Sequence, residues 1–179
     1  MAWLTRKFKT PLTEFAQAKG VVFGICGGYQ MLGSLVEDPD GLEGPAGSSP
    51  GLDLLPVQTV LKAPKTTTLS RFEWGGSAGE GYEIHMGVTR RTGGRPLIKI
   101  TSRNNITCDD YDGCINDDQS VAGTYVHGFF DTPAMLKQWL HLCGIDLQEE
   151  TSHPLLSKNQ AYDQLKTHFE SHVDLRSFM

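Results

Sequence analysis

Long hydrophobic runs are missing from this chain of 179 residues. No apolar stretch reaches the roughly 18 residues that a membrane-spanning helix needs. The opening MAWLTRKFKT carries basic residues with no apolar stretch behind them, so it does not read as a secretory signal. Cysteine is sparse, and Cys26, Cys108, Cys114 and Cys143 form no tight repeating pattern. In a chain of this size that argues against a disulfide framework and for a reducing, cytoplasmic setting. Cys108 and Cys114 stand wider apart than zinc-ligand pairs usually do and have no second pair to join, so no metal site is expected. Basic residues are in deficit. There are 16 Lys and Arg against 21 Asp and Glu, a formal net charge of −5, with no basic stripe. Nucleic acid is therefore a poor partner, and the scattered acids read as a solvated surface. Internal repeats, low-complexity segments and an evident linker are also lacking, which reads as one domain over 1–179.

Hydrophobic residues make up 39% of the chain, and glycine is plentiful at 20, a globular composition rich in turns. Residues 3–19 have apolar positions at helical spacing, with Pro11 set to break or kink the helix. Residues 21–25 form a short apolar, β-branched run, the pattern of a strand covered on both faces. Gly27 and Gly28 turn the chain, and residues 29–36 read as a helix. Residues 37–53 read as a long loop and 62–81 as another polar, glycine-rich stretch. Strands are expected within 54–61, 82–88, 96–101 and 121–126, and helices over 132–142 and 156–172. Asp131 or Thr132 is placed to cap the first of these helices, with Pro133 in its first turn. The pattern predicts an α/β fold: a parallel core with antiparallel additions, flanked by helices.

The strongest chemical signal is GICGGYQ at 24–30. A cysteine at a sharp strand-to-helix turn, with glycines on both sides, follows the logic of a nucleophile elbow. The helix start behind it offers free N–H groups and a positive dipole end, which predict a lowered thiol pKa at Cys26. The Gly27 N–H is the natural donor to a developing oxyanion. The same stretch lacks both the G-x-G-x-x-G spacing of dinucleotide binders and the G-K-[ST] ending of a phosphate loop. An inert buried cysteine in a tight turn is the bland alternative. A thiol nucleophile needs a proton shuttle. Of the 6 histidines, His141, His153, His168 and His172 read as surface residues. His127 follows an apolar strand and precedes Gly128, the position where α/β active sites gather their residues. His85 lies in mid-strand, and alternation puts it on one face with Glu83.

With these residues in hand, the chain resembles the class I (triad-type) glutamine amidotransferases, and within them the glutaminase domain of the cobyric acid synthase group. GICGGYQMLG (24–33), DPDGLEG (38–44), GLDLLPVQT (51–59), GYEIHMGVT (81–89), DG (112–113) and GTYVHGFFD (123–131) carry the likeness. The resemblance implies a flavodoxin-like domain with a mixed, mainly parallel sheet, whose first strands are missing here. It implies that Cys26 attacks the side-chain amide of glutamine and His127 passes a proton to the departing ammonia. Gly27 would donate to the oxyanion and Gln30 would help hold the substrate. No cofactor is expected in this chain. ATP and Mg are expected in a synthetase domain, absent here, that activates the carboxylates of a corrinoid, adenosylcobyrinic a,c-diamide. Most triad members carry a glutamate two residues after the histidine, but Phe129 stands in that place. The cobyric acid synthase group lacks the glutamate too, and Glu83 is a candidate substitute. The chain reads as a piece of a longer enzyme or a truncated relative, with an exposed strand edge that calls for a partner. A catalytically silent binding or assembly module is the alternative reading.

Overall fold

Strands dominate residues 2–146, the larger of the two stretches (2–146 and 158–172) that the computed structural model describes. In chain order the elements are α1 (Ala2–Gln17), β1 (Val22–Ile25), α2 (Gly27–Leu32), β2 (Leu35–Asp38), β3 (Gly47–Pro50), β4 (Val57–Val60), β5 (Thr66–Trp74) and β6 (Ser77–His85). They continue with β7 (Val88–Arg91), β8 (Ile98–Arg103), β9 (Ile106–Asp112), β10 (Cys114–Ile115), β11 (Val121–Thr124), β12 (Val126–His127), α3 (Pro133–Leu142) and α4 (Lys158–His172). By internal contacts, Met1–Asp146 forms one compact unit and Leu147–Met179 another. In the second unit, α4 carries Tyr162, Leu165 and Phe169, all exposed. No helix among the described residues is long and apolar enough to cross a membrane.

The first unit holds three sheets, ordered β1-β11-β10, β12-β6-β5-β8-β9 and β3-β2-β4-β7. The expected α/β class with mixed sheets flanked by helices is what the structure has. The balance within the sheets differs from a mainly parallel one: two strand pairs, β1·β11 and β2·β4, are parallel, and seven are antiparallel. β1 pairs with β11 alone among the described residues. Only Gly24 of β1 is buried, because a strand with one neighbour is covered on one side. Pro11 lies inside α1, and Leu12 and Ala16 of this helix pack against the cluster built on Tyr29, Leu55 and Val121.

Three local expectations change. The helix predicted over 29–36 stops at Leu32, because Gly33 is extended and Val36 is drawn into β2, where it is 3% exposed. The loop predicted over 37–53 contains β3, which pairs with β2. The polar stretch 62–81 holds most of the long β5–β6 hairpin. Gly75 and Gly76 both have positive φ, 54° and 81°, and supply the tight turn whose backbone twist suits a hairpin.

Where β1 meets β11, Gly24 lies opposite Gly123, and α2 crosses directly above them. A Cβ on Gly123 would come within 2.5 Å of the Tyr29 ring and 3.0 Å of the Gly24 carbonyl. One on Gly24 would lie 2.8 Å from the backbone of both Gly28 and Tyr29. Backbone cannot yield as a flexible side chain can. Gly123→Ala is therefore expected to destabilise the protein by about 1–3 kcal/mol, read as a lower midpoint in urea unfolding. An unchanged midpoint would mean α2 does not sit this close to the sheet.

Candidate active site

Cys26 caps α2 with φ 54° and ψ −115°, a conformation that costs a non-glycine residue about 1–3 kcal/mol. The strain holds because both sides of the residue are tied. Its N–H donates to the Thr124 carbonyl at 2.9 Å, and its carbonyl accepts from the Gln30 N–H at 3.1 Å. The turn is thus fixed by β11 behind it and by the first turn of α2 ahead. The side chain stands at the C-terminal end of β1, and Sγ reaches the Ile84 carbonyl of β6 at 3.4 Å.

The ionisation of this thiol runs against the sequence expectation. Burial pushes the Cys26 pKa up, and the Gly27 N–H pulls it down by less. The negative charge of Glu43 adds to the rise and Lys65 offsets part of it, leaving the thiol raised. The helix start does act in the expected direction, but α2 is a short helix and desolvation outweighs it. At neutral pH this is a thiol that must lose its proton to become a nucleophile.

His127 reaches the same stretch of β6. It pairs with Tyr82 across β12 and β6, and the two rings lie parallel, with centroids 5.0 Å apart and planes 4° from one another. Its Nε2 is enclosed and has no hydrogen-bond partner among the described residues. Tyr82 and Ile84 are alternate residues of one strand, about 7 Å apart. β6 therefore gathers the ring of His127 and the sulfur of Cys26 from two segments a hundred residues apart in sequence.

The segment that carries His127 is pinned from below. The buried Asp112 carboxylate accepts from the Thr124 hydroxyl and, at 2.9 Å, from the Tyr125 N–H. Thr124 Oγ1 in turn accepts from the Val126 N–H at 3.1 Å. The sequence marks this aspartate only as half of a DG pair, and its contact with 124–125 depends on a pairing no local pattern reveals. Gln30 is 5% exposed. Its Nε2 donates to the Met86 carbonyl and to the Tyr125 hydroxyl, both at 3.1 Å. Through these bonds it clamps α2 to the end of β6 and to the β11–β12 link.

Glu83 and His85 share a face, as alternation requires. It is the opposite face from Tyr82, so Glu83 does not reach His127. It accepts from Ser70 Oγ at 2.6 Å and Arg103 Nε at 3.0 Å, and lies 3.6 Å from His85 Nε2. The His85 ring stacks on Tyr125 at 3.7 Å. Phe129, in the place where many triad enzymes have glutamate, is 0% exposed. It is packed among Phe23, Phe72, Trp74 and Phe130. The other cysteines lie apart from this constellation. All four are free, and burial pushes Cys114 up to about 11. His141 is exposed and paired with Asp146 at 2.6 Å, and His168 and His172 lie exposed on α4. His153 lies outside the described residues.

A doubly tied cysteine turn and a histidine that both lie against β6 are compatible with thiol hydrolase chemistry, and the comparisons with known proteins narrow the class. Residues 1–135 match the CobB/CobQ-like glutamine amidotransferase domain. The chain belongs to that family and is an enzyme domain of the glutamine amidotransferase type. It is 40% identical over 179 residues to a cobyric acid synthase of Chlorobaculum tepidum, covering 98% of this chain and 35% of the relative. Over 172 residues it is 43% identical to a cobyric acid synthase of Chlorobium phaeobacteroides strain BS1, covering 94% and 34%. Over 173 residues it is 42% identical to one of Roseiflexus castenholzii, covering 93% and 34%. The chain thus spans about a third of the length of the curated relatives it matches.

Proposed function

We propose that this chain is the glutaminase part of an ATP-dependent amidotransferase that supplies ammonia for corrinoid carboxylates, those of adenosylcobyrinic a,c-diamide, in cobalamin biosynthesis. Cys26 Sγ attacks the side-chain amide carbon of glutamine as its proton passes to His127 Nε2. The tetrahedral oxyanion takes a hydrogen bond from the Gly27 N–H. His127 returns the proton to the leaving nitrogen, and the C–N bond breaks to give ammonia and a γ-glutamyl thioester on Cys26. Water then cleaves the thioester, with His127 accepting its proton, and glutamate leaves. Gln30 keeps the start of α2 in place around the bound glutamine. ATP and Mg act in the acceptor-activating part of such an enzyme, and no step on these residues passes through them.

The observation that carries the reading is that a strained, doubly tied Cys26 and the ring of His127 lie against neighbouring residues of β6, Cys26 Sγ at the Ile84 carbonyl and His127 on Tyr82, with His127 Nε2 unpartnered among the described residues. The raised thiol fits it as well, since a protonated sulfur needs a base beside it. The corrinoid acceptor rests on the cobyric acid synthases that the chain resembles.

A glutamine-analogue alkylating agent tests the chemistry. Peptide mass spectrometry should find Cys26 modified at least about tenfold faster than Cys108, Cys114 or Cys143, as expected of an activated thiol beside inert ones. Equal labelling of the four would favour the silent-module reading, for which the edge position of β1 is the supporting observation.

A further inference from the structure

An imidazole that shuttles protons must be held in one plane, and the usual means is a carboxylate hydrogen-bonded to its second nitrogen. Neither carboxylate considered for that task is available. The position two residues on is Phe129, buried in an aromatic cluster. Glu83 faces the other side of β6 and is engaged by Ser70, Arg103 and His85. What does lie against the His127 ring is Tyr82. The two are cross-strand partners, stacked face to face at 5.0 Å with 4° between planes. Tyr82 is itself paired with Leu69 on β5, so the row His127–Tyr82–Leu69 runs across three strands on the outward face of the sheet. Tyr82 is 41% exposed and Leu69 66%. Such exposure is a poor way to use two large apolar side chains if packing were their only role.

We infer that Tyr82 is the positioning residue for His127. Its ring face sets the plane of the imidazole where a carboxylate does so elsewhere, and it makes no hydrogen bond to Nε2, which stays unpartnered among the described residues. The electron-rich face also favours the imidazolium that forms when Nε2 takes the thiol proton. A residue that acts only by positioning His127 affects turnover, so the loss of Tyr82 should lower kcat and spare binding. This inference rests on the assignment of Cys26 and His127 above.

The experiment compares Tyr82→Ala, Tyr82→Leu and Tyr82→Phe with the wild type in the full chain. Removing the ring is expected to lower kcat for glutamine hydrolysis about tenfold or more, because a misaligned base loses its near-attack geometry, with KM changed by less than about twofold. Tyr82→Leu should fall with Tyr82→Ala, while Tyr82→Phe recovers most of the loss, since the stack and not the hydroxyl is the agent. In the NMR spectrum the His127 ring protons should lose their upfield ring-current shift in Tyr82→Ala and Tyr82→Leu and keep it in Tyr82→Phe. Unchanged kcat in Tyr82→Ala would overturn the inference, and so would an equal fall in Tyr82→Phe or a rise in KM that accounts for the loss. If the wild type neither releases ammonia nor is alkylated at Cys26, the parent assignment fails instead. The NMR comparison distinguishes the cases, since it reports the stack whether or not the chain turns over.

Discussion

Cys26→Ala should lower ammonia release from glutamine by about 10⁴-fold or more, as the removal of a covalent nucleophile does in other hydrolases, and should leave thermal unfolding nearly unchanged. The first half follows from the chemistry: Cys26 is the cysteine whose Sγ bonds to β6, at the Ile84 carbonyl, two residues from the partner of His127. The second follows from the contacts of Cys26, which are made chiefly by its backbone. The N–H to Thr124 and the carbonyl to Gln30 survive the substitution, and the lost side-chain bond is a long one to Ile84 at 3.4 Å. A companion variant sharpens the test. At φ 54° and ψ −115° an alanine is as strained as a cysteine, and a glycine is not. Cys26→Gly should therefore be equally inactive yet more stable than Cys26→Ala by about 1 kcal/mol. A stability gain at the cost of all activity marks a residue kept in a costly conformation for its chemistry. Ammonia release surviving in either variant would show that the sulfur of residue 26 is not the nucleophile.

That strain is legible in the sequence because it is local. Glycines around a cysteine, a β-branched run before it and an amphipathic segment after it specify a tight β–α turn within seven residues. The pairing that gives the turn its partner is not local. β6 takes Cys26 Sγ at Ile84 and the His127 ring at Tyr82, and nothing near 26 or 127 in the chain indicates this. The hairpin that contains β6 escapes notice for a related reason. Its first strand opens with three consecutive threonines, and the less exposed positions of its first half, 66, 68 and 70, are Thr, Thr and Ser, so the period of two is carried there by polar side chains and reads as loop. Alternation does place Glu83 beside His85, but which face they share cannot be read without knowing what lies above and below the sheet. The thiol of Cys26 is the clearest case. The helix start behind it is visible in the sequence and argues for a lowered pKa, whereas burial, which argues the other way, exists only once the chain is folded. The third group of the triad is legible only as a gap. Phe129 announces the missing carboxylate, and its aromatic surroundings explain why the position went to the core.

Glu83→Gln should lower the stability of the first unit by about 3 kcal/mol, near the lower end of the cost of breaking a buried ion pair, because Arg103 keeps Asp110 as a second partner at 2.6 Å. For a unit of this size that corresponds to a fall in Tm of about 10 °C. The pH dependence gives the same term by another route. Burial alone would push the Glu83 carboxyl up, but hydrogen bonds from His85, Ser70 and Arg103, with the guanidinium charge, outweigh it and hold the pKa at about 2 against an ordinary 4.5. A folded pKa below the unfolded one means the stabilisation is complete above pH 4.5 and is lost as pH falls from there toward 2. A difference of this size corresponds to about 3 kcal/mol. Urea unfolding at a series of pH values should show the wild type losing stability through that window. The Glu83→Gln curve should be flatter there, and the two should converge at the acid end. Parallel curves would mean the carboxylate is not held in its ionised form by this network. The consequence reaches the site because Glu83 and His85 brace the strand end whose carbonyls, at Ile84 and Met86, receive Cys26 Sγ and Gln30 Nε2. Glu83→Gln should therefore slow Cys26 alkylation in the folded protein at neutral pH, measured beside the wild type at the same pH.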